Sequence, residues 1–317
     1  MRSSIFSFER LDSSLNPSRA IVVLLAGVLL YLVALEVVTS MGMRRSSQGA
    51  KRQHEDYKSA LALRPTTQDG RQTILVVGNS LVVAGVDRKT LIAEMSPTYS
   101  VSFWPIENTT YLDWYFGLRR LFAEGARPSA VVLCLSPRQL TSNSVNGEGF
   151  AHQMMQLRDI PLVMRTARLD TTTTSAFFFA NLSAWLGQRA SIRNWILESW
   201  LPNASLLASS LTSRVPPVSE TEKREMVRIA EYRLSELRDL SAPYGARLLF
   251  LVPPLTSRDG LPEQISLSAV GRGLSVLIPY LPGEMPSEFF SDGFHLNSRG
   301  ASLFTNRLGT TLQSSLR

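Results

Sequence analysis

Short, continuous apolar runs recur along the chain from about residue 74 onward. One run covers Ile74 to Val77 and another covers Ala130 to Leu135, and two further strands are predicted at Tyr99 to Trp104 and at Arg247 to Val252. Runs of this length, rich in β-branched and aromatic residues, are typical of strands that are buried on both faces of a parallel sheet. A fifth, shorter strand is predicted between Ser275 and Tyr280.

Apolar residues at helical spacing fill the intervals between these runs. Helices are predicted from Asp87 to about Met95, from Thr110 to Glu124, and from Asn297 to Leu312. A capping box formed by Ser219 and Glu222 opens another long helix. The alternation of strands and helices predicts an α/β fold with a parallel, doubly wound sheet.

The most hydrophobic stretch lies near the N-terminus. No charged residue occurs from Ala20 to Leu35, and the run continues past Glu36 to Val38. Nineteen helical residues span roughly 28 Å, which is about the thickness of a bilayer core. A cleaved signal peptide is the alternative, although no clear small-x-small cleavage site follows. The N-terminal part is therefore divided into a tail at 1–19, a transmembrane anchor at 20–39 and a stalk at 40–72.

One domain is expected over residues 73–317, interrupted by a helical insert at about 136–217. The insert begins with a polar loop and continues with helical stretches rich in Trp and Phe. Extra packing is its default role, because such rings are more often core residues than ligand contacts. The insert is also large enough to form one wall of a substrate cleft, where Trp185, Trp195 and Trp200 would suit the faces of sugar rings.

Composition fits a globular domain and narrows the classes of partner. The apolar fraction is 44% and the net charge is +7. Lys and Arg are scattered and do not alternate with aromatics, so nucleic acid is not an expected partner, and a solvated basic face or attraction to anionic lipid is favoured. The only cysteine, Cys134, lies in an apolar run, is expected to be buried, and excludes an internal disulfide.

Two short stretches carry candidate chemistry. Gly78-Asn79-Ser80 directly follows the first predicted strand, so the Ser80 hydroxyl stands where open α/β sheets place their ligands. Near the C-terminus, Asp292 precedes His295 by three residues, a spacing that lets the carboxylate orient the imidazole toward a serine. The other histidines, His54 and His152, are expected at the surface.

Metal and nucleotide chemistry find no support in the sequence. No second histidine or carboxylate pair has the spacing of zinc ligands, and no Gly-rich phosphate loop or dinucleotide fingerprint is present. Neither a metal nor a cofactor is therefore predicted.

Together the two stretches resemble the SGNH (GDSL-type) hydrolase superfamily. Gly78-Asn79-Ser80 resembles the nucleophile block of that family, and Asp292-Gly293-Phe294-His295 resembles its last block, in which D-x-x-H supplies two members of a triad. The resemblance covers roughly Ile74 to Leu312. It implies a flavodoxin-like sheet, with Ser80 as nucleophile, His295 as base and Asp292 as the residue that orients His295.

The chain departs from the family at the glycine and asparagine that usually supply oxyanion-hole donors. The corresponding segments are Trp104 to Thr109 and Leu135 to Gln139, so Asn108 or Arg138 is the candidate donor or substrate contact. The backbone N–H of Ser80 remains available at a helix start. Such departures resemble the membrane-anchored branch of the family, which acylates cell-surface polysaccharides.

That branch implies an O-acyl(acetyl)transferase in a bacterial inner membrane, with its catalytic domain in the periplasm or outside the cell. The implied acceptor is a cell-surface or extracellular polysaccharide, and a multi-span membrane acyltransferase is a possible partner. An esterase or lipase-like hydrolase is one alternative, and a catalytically silent scaffold that binds glycan or a partner is another. The charges flanking the span lean slightly the other way, with more Lys and Arg after it than before it.

Overall fold

The computed structural model describes residues 17–46, 48–200 and 218–317. The predicted parallel sheet is confirmed: five parallel strands lie in the order β2-β1-β3-β4-β5, which is the flavodoxin-like doubly wound order. The strands are β1 (Gln72–Gly78), β2 (Tyr99–Pro105), β3 (Ala130–Cys134), β4 (Arg247–Leu251) and β5 (Ser275–Leu277). Strand β5 is shorter than predicted, and Pro279, which lacks the N–H that a ladder needs, follows soon after its end.

Helices occupy the chain before the sheet, between its strands and after its last strand. Before the sheet lie α1 (Pro17–Ser46) and α2 (Gln48–Leu61). The helices that connect and follow the strands are α3 (Ser80–Gly85), α4 (Arg88–Met95), α5 (Tyr111–Ala123), α11 (Glu220–Ser241), α12 (Leu261–Val270) and α13 (Ser298–Leu316). The insert contains α6 (Pro137–Thr141), α7 (Gly147–Gln153), α8 (Ile160–Thr166), α9 (Thr171–Leu182) and α10 (Ala184–Trp200).

The two faces of the sheet bury separate apolar cores. On one face, β1 side chains such as Leu75 and Val77 join the buried residues of α5, α11 and the insert. On the other face, Ile74 and Val76 join the buried residues of α4 and α13. Cys134 is completely buried in this second core, as predicted, and burial raises the pKa of its thiol. Side chains on both faces of every central strand are therefore removed from water, which explains the continuous apolar runs.

Helix α1 is long and apolar enough to cross a membrane over Ser18–Gly42, and its length and composition fit an anchor or a signal sequence. Most of the predicted tail lies outside the described residues. The predicted stalk differs from the structure, because α2 packs against the edge strand β2 as part of the domain. Ala60 and Leu63 join the core, and Arg88 forms an ion pair with Asp56 at 2.8 Å.

The described part of the insert packs as a small helical layer on the side of α7. Helix α10 contacts α7, α9 and also α1. Two of its tryptophans, Trp185 and Trp200, are exposed and therefore lie outside the core. The side chain of Trp195 and the last part of the predicted insert, residues 201–217, lie outside the described residues.

Candidate active site

Ser80 is presented by a tight turn between β1 and α3. Gly78, the last residue of β1, has a φ of 152° and is opposite Pro105 on β2 and Cys134 on β3. A Cβ at this glycine would collide with the carbonyl oxygen of Cys134 and the side chain of Val82. Only glycine therefore fits this position, and the chain turns at once to place Ser80 at the carboxyl edge of the sheet. This edge, between β1 and β3, is the topological switch point at which doubly wound sheets bind ligands.

Asn79 stabilises this turn through the hydrogen bonds of its side chain. Its side chain is completely buried, and it accepts a hydrogen bond from the N–H of Leu81 at 3.0 Å as the N-cap of α3. Its amide group donates to the carbonyl oxygen of Thr109 at 3.0 Å. One side chain thus caps the nucleophile helix and ties it to the loop that follows β2.

His295 and Asp292 lie on a loop that is closed on itself just before α13. The chain folds back between Phe290 and Leu296, and Gly293 at the tip has a φ of 79°. The N–H groups of Phe294 and His295 donate to Asp292 Oδ1 at 2.9 and 2.7 Å. Gly293 provides the left-handed backbone that this Asx-type turn requires.

The loop is fixed on its C-terminal side as well. Asn297 caps α13 by accepting hydrogen bonds from the N–H groups of Arg299 and Gly300, and its amide donates to the carbonyl oxygen of Glu288 at 2.7 Å. Helix α13 also packs against α3 and α4. This packing brings together two segments that are more than two hundred residues apart in the chain.

The three predicted side chains form a continuous hydrogen-bond chain. Ser80 Oγ lies 2.9 Å from His295 Nε2, and His295 Nδ1 lies 2.7 Å from Asp292 Oδ2. An ionised carboxylate can only accept hydrogen bonds, so the proton of the neutral ring belongs on Nδ1 and the lone pair of Nε2 faces the serine hydroxyl. This is the tautomer that a general base requires.

The carboxylate of Asp292 is stabilised in its charged form. Partial burial raises its pKa, but the hydrogen bonds from the His295 ring and from the N–H groups of His295 and Phe294 outweigh it, so the pKa lies below the ordinary value for aspartate. The site is open to solvent, since the side chains of His295 and Asp292 are 31% and 37% exposed. Phe294 is also exposed and meets the His295 ring edge to face, with 5.1 Å between the ring centroids.

The loop after β2 forms a second border of the site. It is anchored to β1 by the hydrogen bond from the N–H of Ile106 to the carbonyl oxygen of Gly78, at 2.9 Å. Asn108 on this loop is exposed and has a φ of 59°, a backbone conformation that asparagine tolerates better than most residues. Thr109 is buried beneath it and bonds to Trp114 Nε1 at 2.9 Å.

Asp113 connects this loop to the start of the insert. It accepts hydrogen bonds from the N–H of Thr110 at 2.7 Å and from the N–H of Asn146 at 2.8 Å. The amide of Asn146 in turn donates to the carbonyl oxygen of Glu107 at 3.1 Å. Burial raises the pKa of Asp113 to about 6, although these hydrogen bonds act in the opposite direction. The part of the insert that reaches this loop is therefore its polar beginning.

The other residues singled out from the sequence lie elsewhere. Arg138 is exposed on α6, and hydrogen bonds from Ser219, together with the charge of Arg138, lower the pKa of Glu222 at the start of α11. His152 is half-buried instead of lying at the surface, with Nδ1 at 3.2 Å from the carbonyl oxygen of Ala180. Among the described residues, no group of three His, Cys, Asp or Glu side chains is arranged to hold a metal ion.

Two further features of the site were not predicted. The first is the double role of Asn79 as the cap of α3 and as a donor to Thr109, although Asn before a helix is a recognisable capping signal. The second is the brace from Asp113 to Asn146, which joins residues 33 positions apart and has no local sequence signal.

Comparison with known proteins gives only distant structural similarity. No model of a known protein family matches the chain, and no curated protein matches it. A solved structure of TesA has a TM-score of 0.38 and 13% identity, covering 77% of this chain and 99% of that one. A catalytic mutant of Axe2, an acetylxylan esterase from Geobacillus stearothermophilus, has a TM-score of 0.39 and 9% identity, covering 76% of this chain and 93% of that one. At such values no residue role is transferred, and the chemistry rests on the geometry described above.

Proposed function

We propose that this chain is a membrane-anchored serine acyl-ester enzyme with Ser80 as its nucleophile. The observation that carries the proposal is the hydrogen-bond chain from Ser80 Oγ through His295 to Asp292, at 2.9 and 2.7 Å. A serine hydroxyl is a weak nucleophile until an adjacent base removes its proton, and these contacts supply both the base and the group that orients it.

The reaction follows from the positions of these atoms. Ser80 Oγ attacks the acyl carbon while His295 Nε2 takes the hydroxyl proton, and Asp292 stabilises the imidazolium that forms. His295 then returns the proton to the leaving alcohol, and the acyl group remains on Ser80. In the second half, a hydroxyl group or water attacks this ester while His295 takes its proton. The bond between the acyl carbon and Ser80 Oγ then breaks, and His295 returns the proton to Ser80.

The negative charge on the attacked oxygen needs hydrogen-bond donors. The N–H of Ser80 has no acceptor among the described residues and stands at the start of α3, so it is the first donor in the proposal. Asn108 remains the proposed second donor, because its loop is held beside the nucleophile turn by Asn79. Arg138 also remains a proposal, and its interaction with Glu222 gives it no added support.

The finer proposal is an O-acyltransferase, with acetyl as the expected acyl group, that modifies a cell-surface or extracellular polysaccharide. An open cleft of about 960 Å³ between α2 and the insert supports a hydroxyl-rich acceptor. It adjoins the loop after β2 through Ile106 and Glu107. Three buried polar atoms of its lining residues have no hydrogen-bond partner in the part of the chain that the structure describes: Arg52 Nε, Gln156 Oε1 and Gln188 Oε1. Hydroxyl groups can both donate and accept, which is what such atoms require.

Hydrolysis is the second candidate, and the exposure of the site favours it. An acyl-enzyme open to water is hydrolysed unless an acceptor or a partner covers it. In the transferase proposal, a membrane-bound acyl donor or a multi-span acyltransferase partner would lie close to Ser80 because α1 holds the domain at the same membrane. A catalytically silent scaffold remains the third candidate, and the complete triad geometry weighs against it.

Covalent labelling tests the shared part of these proposals. The full chain in detergent micelles is treated with a fluorophosphonate probe, which should modify Ser80 and no other serine. Ser80→Ala should abolish labelling, whereas Ser302→Ala on the exposed face of α13 should leave it unchanged. Labelling that survives in Ser80→Ala would remove Ser80 as the nucleophile.

Product partition separates transfer from hydrolysis. The full chain is given a simple acetyl ester with and without an oligosaccharide acceptor, and free acetate and acylated oligosaccharide are both measured. The transferase predicts slow hydrolysis alone and acylated product when acceptor is present. Gln188→Leu should reduce transfer and leave hydrolysis unchanged if the cleft binds the acceptor. Fast hydrolysis with no acylated product under any acceptor would favour the esterase, and no turnover of either kind would favour the scaffold.

A further inference from the structure

The helical insert and the apolar helix α1 are joined through a side chain within the candidate span. Glu36 of α1 accepts hydrogen bonds from Ser183 Oγ at 2.8 Å and from the N–H of Ala184 at 2.5 Å. The N–H of Trp185 donates to the same carboxylate at 3.3 Å. A helix N-terminus favours a negative charge, so Glu36 acts as a cap for α10 supplied by another helix. The junction between α9 and α10 is therefore held at the level of Glu36.

That level lies at the edge of a bilayer if α1 spans one, as the proposed function assumes. Glu36 follows Arg19 by seventeen positions, which corresponds to roughly 26 Å along an α-helix. A hydrocarbon core is about 30 Å thick. With Arg19 at one surface of the membrane, Glu36 and the α9–α10 junction lie at or just below the other.

The side chains around this junction suit such a position. Phe178, Phe179, Leu182 and Trp185 are all exposed, and we call them the junction patch. Phe178 is five residues from Ser183, so the patch begins within roughly 8 Å of the Glu36 level along α9. The opposite face of α9 is apolar as well, but Phe177 and Ala180 there are buried against the domain. A helix that is apolar on both faces needs a second apolar environment besides the core.

The surroundings of the patch also fit a membrane surface. Leu162 and Met164 on α8, which packs against α9, are exposed. Arg165 and Arg168 near the end of α8 and Arg193 on α10 are exposed as well, where their charges could meet anionic headgroups. Trp185 beside Glu36 is the type of residue that is enriched at membrane interfaces.

We propose that the junction patch inserts into the interface of the bilayer that α1 spans, so that the insert is a second membrane contact of the domain. The occupant is a lipid surface, because the patch is continuous with the candidate span through the Glu36 contacts. The domain is then attached to the membrane by both α1 and the junction patch. Its orientation relative to the membrane is therefore restricted.

Site-directed spin labelling of the full chain tests this inference. The protein is reconstituted into vesicles of phosphatidylcholine and phosphatidylglycerol, and single cysteines carry nitroxides at Phe179→Cys or Leu182→Cys. Leu29→Cys on α1 serves as the lipid reference, and Leu267→Cys on α12, which is 77% exposed, serves as the water reference. The native Cys134 is completely buried, and a parent protein without added cysteine corrects for any label on it. All four sites are exposed, so the labels should not disturb packing, and fluorophosphonate labelling of Ser80 checks the fold.

Collision rates with oxygen and with a water-soluble nickel chelate give the result. The inference predicts that the collision rates at positions 179 and 182 resemble those at position 29. The rate with the nickel chelate should be several-fold below that at position 267. If nickel collision rates at positions 179 and 182 equalled that at position 267 while position 29 stayed in lipid, the inference would be overturned. A partner protein would then be the alternative occupant of the junction patch. Water exposure at position 29 as well would overturn both this inference and the membrane anchor. Fluorophosphonate labelling of Ser80 tests the proposed nucleophile independently of that result.

Discussion

At the scale of single residues, the reactivity of Ser80 depends on His295, which lies 215 residues further along the chain, and on the neighbouring Asp292. Asp292 determines the tautomer of His295 through the 2.7 Å contact to Nδ1, and the hydrogen bonds that it accepts lower its pKa and favour the charged carboxylate. Each member of this hydrogen-bonded triad contributes to catalysis only while the other two are present. The losses of activity caused by replacing single members should therefore not be additive in combined variants.

We expect Ser80→Ala, His295→Ala and the double variant to lose nearly the same activity, on the order of 10³-fold or more, because the triad acts as a unit. Steady-state turnover of an acetyl ester by the full-length variants measures this. Arg299→Ala, at an exposed position on α13, is the control and should retain wild-type turnover. Near-normal turnover by a folded His295→Ala variant would contradict the assignment of the base.

Asp113 gives a prediction about pH and stability. Its pKa is raised from 3.8 to about 6 by burial, so the folded protein binds a proton more tightly than the unfolded chain does. The stabilisation is complete below the unfolded pKa and is lost as the pH rises through about 6, with a maximum of about 3 kcal/mol. The stability of the wild type relative to Asp113→Asn should therefore fall between pH 4 and pH 7.

Denaturant unfolding of both proteins in detergent at several pH values measures this difference. Asp239→Asn is the control, since that carboxylate is 66% exposed on α11. Its stability relative to the wild type should change little over the same interval. A constant difference between wild type and Asp113→Asn would show that Asp113 does not titrate in this range.

The residues that could be recognised from the sequence are those whose partners are close in the chain or whose position in an element is distinctive. Asp292 and His295 are three residues apart, and Ser80 directly follows a strand, so local spacing was enough to indicate them. The contacts from Asn79 to Thr109 and from Asp113 to Asn146 depend on how loops meet in space. No periodicity or motif encodes such a meeting.

At the scale of elements, the turn from β1 to α3 depends on the absence of a side chain at Gly78. We expect Gly78→Ala to lower the free energy of unfolding by about 2 kcal/mol or more and to abolish Ser80 labelling, because the added Cβ collides with β3. Gly149→Ala is the matched control, since that glycine lies in α7 and, apart from its own helix backbone and chain neighbours, no atom of the described residues lies within 4 Å of an added Cβ. It should be neutral or stabilising by up to about 1 kcal/mol.

Chemical denaturation gives the stability of both variants, and the fluorophosphonate probe gives the reactivity of the serine. Wild-type labelling by Gly78→Ala would mean that the turn can adjust without displacing Ser80. Loss of labelling without loss of stability would point to a local shift of the nucleophile alone.

Elements buried on both faces were the easiest to predict, because burial leaves a continuous apolar run. Strands β1 to β4 agree with the prediction to within one or two residues, and the capping box at Ser219 and Glu222 opens α11 as expected. Helix α12 was not predicted; it begins at Leu261 with Pro262 in its first turn. The insert was recognised as helical, but the elements against which it packs were not predicted. Sequence periodicity does not indicate which neighbour a helix face will contact.

At the scale of the whole molecule, the contacts from α10 to α1 change the interpretation of the insert. Extra packing was the default role of the insert, and its tryptophans were also considered for one wall of a substrate cleft, yet the backbone N–H of Trp185 donates to Glu36 of the apolar helix. The polar loop at the start of the insert, with Ser144 and Asn146, is the part that reaches the loop after β2. A substrate wall at the site is therefore more consistent with polar hydrogen-bonding groups than with stacked rings.

The side of the membrane on which the domain lies decides which substrates it can reach. We predict that everything after Ser40 lies outside the cytoplasm, as the resemblance to polysaccharide acylating proteins implies. The positive charges oppose this orientation slightly, with Arg44, Arg45, Lys51 and Arg52 after the span and three arginines before it.

Reporter fusions at Arg317 measure the orientation directly. A reporter that is active only in the periplasm should be active, and one that is active only in the cytoplasm should be silent. Replacing Arg44 and Arg45 by Ser removes charges that oppose export, so the periplasmic signal should stay equal or rise. An active cytoplasmic fusion with a silent periplasmic one would reverse the orientation, and a surface polysaccharide could then no longer be the acceptor. Ser80 chemistry would survive that result, because the geometry of the triad does not depend on the side of the membrane.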